Sequence, residues 1–230
     1  MHDVSLGITV RDYLTGEQLE ATTYEDLRQG LARMFVEELG YPRESLRPRV
    51  PVRFPVEGRE YSRVVDLAAH GPDGAVLLLV LFSSGECGTY RREALAAARL
   101  VPGGPAPLVA VTDCSDAVLF AAADGAELAT GMAALPRWSA LAGLAAAHPV
   151  APLPPGRARG EGRILYAYSE LLYGCCSHAA CAVQERGGRW GGGDEPGEDE
   201  PGEDEPGEDE PGDGEPGGGD SGGEKGRGVK

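Results

Sequence analysis

The segment Tyr61-Ser62-Arg63-Val64-Val65-Asp66-Leu67-Ala68-Ala69 is joined through Gly71-Pro72-Asp73-Gly74 to Ala75-Val76-Leu77-Leu78-Leu79-Val80-Leu81-Phe82. The first segment follows the Glu57-Gly58 turn and reads as a strand. The second is apolar at every position, the pattern of a central strand in a sheet covered on both faces. A turn of hairpin length lays the two side by side. One residue interrupts this apolar text. Asp66 stands in mid-strand, and a buried carboxylate is expensive unless an arginine, a metal or a hydrogen-bond network satisfies it.

Working outward, Thr22 and Thr23 precede Glu25 and Asp26 in a capping-box pattern. Leu27, Leu31, Met34, Phe35 and Leu39 then recur at helical spacing, and Gly40 with Pro42 stops the run. Arg49–Val56 alternates weakly, as a strand would. Thr89–Leu100 is rich in helix formers and ends at Pro102-Gly103-Gly104. Pro107–Thr112 reads as a second buried strand, and Ala117–Ala121 and Glu127-Leu128 as short strands around Asp124-Gly125. Leu135–Ala147 is a helix, Pro149–Pro155 a spacer and Glu161–Tyr173 a last amphipathic helix. This order predicts an α/β layer structure. Its sheet is mixed, because hairpin turns join the early strands and a helix joins the later one.

Charge divides the chain. The formal net charge is -16 over 230 residues. Residues 191–230 hold 15 acids against 3 bases, which leaves 22 acids and 18 bases in residues 1–190. From Asp194 the tail repeats DEPGE with no large apolar side chain, so ordering it has nothing to offset its cost. The expectation is a disordered acidic tail over 187–230, a helical extension with a Cys/His group over 151–186, and one domain over 1–150. Such a tail suits a basic protein partner. Lys225 and Lys230 are the only lysines, so every base in the body is arginine, and a lysine-dependent active site is excluded there. No apolar run reaches 18 residues, which excludes a membrane helix. Absence of a basic-then-apolar leader, with an odd count of five cysteines, points to a reduced, cytoplasmic chain.

The ordered pieces TTYEDLRQGLARMFVEELGYP, RVVDLAA, VLLLVLF, ALAAARL and PLVAVTDCSDAVLF together resemble the N-terminal domain of type I restriction enzyme R subunits. The residues that carry the resemblance are Thr22, Thr23, Arg28, Gln29, Gly40-Tyr41-Pro42, Asp66, Val111-Thr112-Asp113 and Ala117-Val118-Leu119. That family is a module of the PD-(D/E)XK nuclease superfamily. The resemblance implies a restriction-endonuclease-like mixed central sheet flanked by helices. It also implies a strand Asp and a later Glu-x-Lys strand that hold Mg²⁺ and activate water for phosphodiester hydrolysis. Asp66 matches the strand Asp. At the Glu-x-Lys position stands Leu81-Phe82-Ser83, with Leu81 for the acid and Ser83 for the base, and a shift of one residue either way restores neither. Arginine stays protonated and cannot replace the lysine.

The reading is therefore a stand-alone, catalytically inactive relative that acts in DNA binding or assembly and needs no cofactor. Asp66 remains as a remnant paired with Arg63 or another arginine. An active Mg²⁺ endonuclease would have to join Asp66 to Glu86, Glu25 or Glu37. Arg28, Arg49, Arg53 and Arg63 are the candidate phosphate contacts, in an Arg-rich stretch interleaved with Tyr41, Phe54 and Tyr61. Cys175, Cys176, His178 and Cys181 are candidate Zn²⁺ or redox groups, although adjacent cysteines rarely ligate one metal. Cys87, at a helix start, is a candidate low-pKa thiol.

Overall fold

A computed structural model describes residues 4–173, with side chains to Ser169. The Cys175, Cys176, His178 and Cys181 group and the DEPGE tail lie outside the described residues.

The chain opens with a hairpin that the sequence reading did not anticipate, β1 (Ser5–Arg11) and β2 (Gln18–Thr22). It forms a separate two-stranded antiparallel sheet. Helix α1 follows at Glu25–Glu37. The capping box expected at Thr22 and Thr23 does not form, and the helix starts at Tyr24 without a side-chain cap. Thr23 is engaged elsewhere: its hydroxyl and its amide both bond the Val4 carbonyl and tie the hairpin to the helix start. Leu27 consequently lies outside the buried stripe, which runs through Leu31, Ala32 and Phe35.

The main sheet has six strands in sequential order. β3 (Leu46–Val56) and β4 (Arg59–His70) form a long antiparallel hairpin. Its two-residue turn, Glu57-Gly58, has φ of 50° and 80°, the type I′ geometry that suits strand twist. β5 (Val76–Phe82) lies antiparallel to β4. After a short 3-10 turn at Cys87–Tyr90, helix α2 (Arg91–Leu100) crosses back to β6 (Leu108–Thr112), which lies parallel to β5. β7 (Ala117–Ala121) and β8 (Glu127–Thr130) complete the sheet as antiparallel neighbours. α3 (Trp138–Ala147) and α4 (Pro155–Tyr173) end the described chain. The mixed α/β layer structure expected from the sequence is the structure found.

Side-chain alternation sorts the core into two layers. Leu79 and Leu81 pack with Ala94–Ala98 of α2 and Leu165 of α4. Leu78 and Val80 pack with Leu31 and Phe35 of α1 and Leu141 of α3. Each fully buried Leu or Phe stabilises the domain by about 1.5–3 kcal/mol relative to exposure. α4 starts six residues earlier than expected, and the spacer before it does not end the packed body. A Cβ on Gly162 would stand 3.3 Å from the Cβ of Phe54, so α4 rests flush on β3. Val150, Ile164, Leu165 and Tyr166 therefore belong to the same core as the sheet.

Candidate functional site

The alternation of β4 breaks at Asp66. Val65 lies in the α2–α4 layer and Leu67 in the α1–α3 layer, although residues two apart on a regular strand share a face. The break has a visible cause on each neighbour. On β3, Pro48 pairs with Leu67 and Val50 with Val65, which leaves Arg49 opposite Asp66 without a ladder partner. Arg49 takes φ of 53° there, a left-handed conformation that costs a non-glycine residue on the order of 1 kcal/mol. On the other side, the β4–β5 ladder ends at Leu67–Val80. The strands part at Asp66, and its carboxylate turns toward α1.

Both oxygens of that carboxylate are engaged. Arg28 Nε donates to Oδ1 at 2.8 Å, and the Phe82 backbone amide donates to Oδ2 at 2.8 Å. The Arg28 guanidinium lies 5.7 Å from the Phe82 ring centroid and 3.8 Å from Glu25. Glu25, 2% exposed, accepts from Gln29 Nε2 at 2.8 Å. Gln29 also donates to Asp12 Oδ2 at 3.3 Å and accepts from the Tyr13 amide at 2.6 Å. Asp12, 3% exposed, meets Arg49 at 2.6 Å and takes the Leu14 and Thr15 amides on its other oxygen. Burial alone would raise the Asp12 pKa. Its hydrogen bonds from Arg49, Thr15 and Gln29 outweigh burial and hold the carboxyl below its ordinary value.

Asp12, Glu25, Arg28, Gln29, Arg49 and Asp66 thus form one polar web. They line a cavity of about 20 Å³, room for a single water. The sequence reading found Asp66, Arg28 and Arg49, and proposed Glu25 as a substitute acid. It missed Asp12, although Asp-x-x-Thr-Gly at 12–16 is a readable turn signal. Glu37 accepts from the Tyr13 hydroxyl, and Glu86 is exposed before the 3-10 turn, so Glu25 alone of the three candidate acids lines the cavity with Asp66.

The positions expected to replace Glu-x-Lys need a correction of register. Leu81 packs against α2, in the layer opposite α1. On the α1 side stand Val80, packed beside Leu31 and Phe35, and Phe82, whose ring meets Tyr24 and Arg28. Ser83 is buried, and its hydroxyl donates to the Gly85 carbonyl. The reason is the break at Asp66, which turns its side chain to the face its cross-strand register would not give.

The arginines expected to meet phosphate divide three to one. Arg28 and Arg49 belong to the web, and Arg63 bonds the fully buried Glu93 on the opposite layer. Arg53 is exposed. Cys87 also departs from expectation. Burial and the nearby Asp113 carboxylate push its thiol pKa up, against hydrogen bonds from Ser83 and Asp113. Among the described residues, no three His, Cys, Asp or Glu side chains are placed to hold a metal ion. No described helix is long and apolar enough to cross a membrane.

This is a mixed α/β domain with an aspartate where two central strands part, answered by a helix bearing Glu25, Arg28 and Gln29. Residues 23–136 match the family model of the type I restriction enzyme R protein N terminus. That segment, which holds α1, Asp66 and the main sheet, belongs to this family. No curated protein and no solved structure matches the chain.

Proposed function

We propose that this domain does not cleave DNA and serves in assembly or DNA binding for a restriction-type system. One observation carries the reading. The Asp66 carboxylate is held by the Arg28 guanidinium and the Phe82 amide, and neither Leu81 and Ser83 nor Val80 and Phe82 can supply the acid and base that hydrolysis needs. Mg²⁺ takes about six oxygen ligands in octahedral array. Here a permanently charged guanidinium already lies against Asp66 and Glu25, and the cavity of about 20 Å³ cannot hold an ion with its waters. The residues present do not fit the metal. With the body's bases all arginine, no lysine is at hand to assist water.

Assembly is favoured over phosphate contact. Three of the four candidate phosphate-binding arginines already answer carboxylates of their own chain. DNA contact would fall to exposed Arg33, Arg43, Arg47, Arg53 and Arg59. Arg33 and Arg43 flank the Tyr13 ring, their guanidinium carbons 5.3 and 4.7 Å from its centroid. The test incubates the full chain with supercoiled and linear DNA in Mg²⁺ or Mn²⁺. The expected result is intact DNA. Cleavage that disappears in Asp66→Ala overturns the proposal. Fluorescence anisotropy on labelled duplex then separates the two roles, because phosphate-driven binding weakens steeply with salt.

A further inference from the structure

We infer that the outer surface of the α2–α4 layer binds the phosphate backbone of duplex DNA through Arg92, Arg157, Arg159 and Arg163, with Arg91 at its margin. Resting on the DNA-binding role proposed for the domain, this surface lies on the layer opposite the Asp66 web. The two helices run antiparallel. The Tyr168 hydroxyl donates to the Thr89 carbonyl just before α2 at 3.1 Å, and Glu161 accepts from Arg99 near the end of α2 at 2.7 Å. About 16 Å of helix separates Arg157 from Tyr168, at ~1.5 Å per residue. The arginines of α4 and those that open α2 therefore extend along one layer.

The layer turns its acids inward and its arginines outward. Glu93 is 0% exposed and meets Arg63, and Glu161 is 7% exposed and meets Arg99. No other acid occurs in α2 or in α4 through Ser169. Arg91, Arg92, Arg157, Arg159 and Arg163 are exposed. Arg91 donates to the Gly125 carbonyl at 2.5 Å. Asp124, in the turn that Arg91 reaches, accepts the Ala126 amide. Among the described residues, Arg92, Arg157, Arg159 and Arg163 meet no carboxylate and no hydrogen-bond acceptor. On the α1 side Arg28 and Arg49 are answered by carboxylates. Here Arg63 and Arg99 absorb the acids and leave the other arginines open, in a chain of net charge -16.

Helix formation does not account for these arginines. Arg157 lies in the first turn of α4, which holds no acid, and Arg91 and Arg92 open α2. A cation there opposes the helix macrodipole, whereas an anion is welcome. The surroundings favour a phosphate backbone over a protein or a membrane. The other exposed residues of α4 through Ser169 are Pro155, Gly156, Gly160 and Ala167. The exposed large apolar side chains of the described residues are Val4, Leu6, Ile8 and Leu27, none of them in this layer. A protein interface is anchored by buried aromatic or apolar side chains, and a membrane-bound helix inserts an apolar face. Phosphates need only charge and donors, and guanidinium supplies both in a fork that fits two oxygens. At ~3.4 Å of duplex axis per phosphate of one strand, about 16 Å of layer spans roughly five phosphates.

The test is fluorescence anisotropy of a labelled mixed-sequence duplex DNA titrated with the full chain, in EDTA, from about 50 to 200 mM salt. The parent is expected to bind with Kd of roughly 10⁻⁴ to 10⁻⁶ M, and log Kd should rise with log salt with a slope of about four. Arg157→Gln, Arg159→Gln and Arg163→Gln combined should weaken binding more than about tenfold and lower that slope by about three. The same three positions changed to lysine should stay within about threefold of the parent, because charge is kept. Circular dichroism checks that each variant keeps its fold. A parent that does not bind overturns the inference together with the DNA-binding role. A parent that binds while the glutamine variant matches it overturns this surface and leaves the role standing. So does a larger loss in Arg33→Gln with Arg43→Gln, which assigns DNA to the α1 side. A lysine variant as weak as the glutamine one overturns contact through charge. Polyglutamate that displaces the duplex at a lower concentration of charge than unlabelled duplex assigns the surface to an acidic protein and also overturns it. With EDTA present, none of these outcomes depends on whether the domain cleaves DNA.

Discussion

The two faces of the main sheet bury charge in different ways. Toward α2 and α4, charges are buried in pairs: Arg63 with Glu93, and Arg99 with Glu161 at 2.7 Å. Each joins one helix to one neighbouring element, and Glu93 is fully buried with its second oxygen unpartnered. Toward α1, six polar groups from the β1–β2 turn, α1, β3 and β4 share partners, and each carboxylate has at least two. An isolated pair fails at once when one member is lost, because the survivor keeps its charge in a poor solvent. A web redistributes the loss. The difference marks the first face as a place where charge fastens helices, and the second as a place where charge is arranged around a point.

The sharpest way to break this comparison is Arg63→Ala, which strands Glu93. It should cost about 3–5 kcal/mol and lower the Tm by roughly 10 °C by calorimetry. Replacing the pair together, Arg63→Met with Glu93→Leu, should recover most of that loss. In the web, Arg28→Ala leaves Asp66 its Phe82 amide and Glu25 its Gln29 amide, so the cost should be smaller, about 2 kcal/mol in urea unfolding. An Arg28→Ala loss equal to that of Arg63→Ala would erase the distinction.

Acid sharpens it further. Because the Asp12 carboxyl is held below its ordinary value in the folded chain, its contribution is fully present above the unfolded pKa of about 3.9 and is lost as pH falls through the folded value. Asp12→Asn should therefore differ from the parent in Tm near neutral pH and converge with it in strong acid. Cys114 gives the smallest effect. Burial, then Asp113 and Asp66, push its thiol up to about 11. Its alkylation at pH 8, read by peptide mapping, should be about a hundredfold slower than in the unfolded chain.

Much of the fold was legible because apolar pattern and turn chemistry agree. Ala75–Phe82, Pro107–Thr112 and the Glu57-Gly58 turn could be placed from residue type alone. The β1–β2 hairpin was missed although Val4, Leu6, Ile8 and Val10 alternate with Ser5, Gly7 and Thr9, a period-two pattern that was readable in the sequence. In the site, Asp66 was conspicuous as a lone carboxylate in apolar text; an arginine does answer it, but Arg28 of α1 rather than its strand neighbour Arg63, which turns to Glu93. That Asp66 and Leu81 lie toward opposite layers was hidden, since it depends on the interruption of β4 at Asp66, opposite the left-handed Arg49 of β3. Glu25 was read as a helix cap. Its burial follows from Gln29 and Arg28 closing over it, which helical spacing permits but does not require.

The Phe82 amide on Asp66 carries a consequence for the reading of that residue. At the point where β4 and β5 separate, an amide of the central strand would otherwise be left over, and the aspartate takes it as a clip takes a loose edge. That service is independent of metal, water or phosphate. In this chain the strand aspartate therefore has an architectural service that stands apart from any chemistry it could perform.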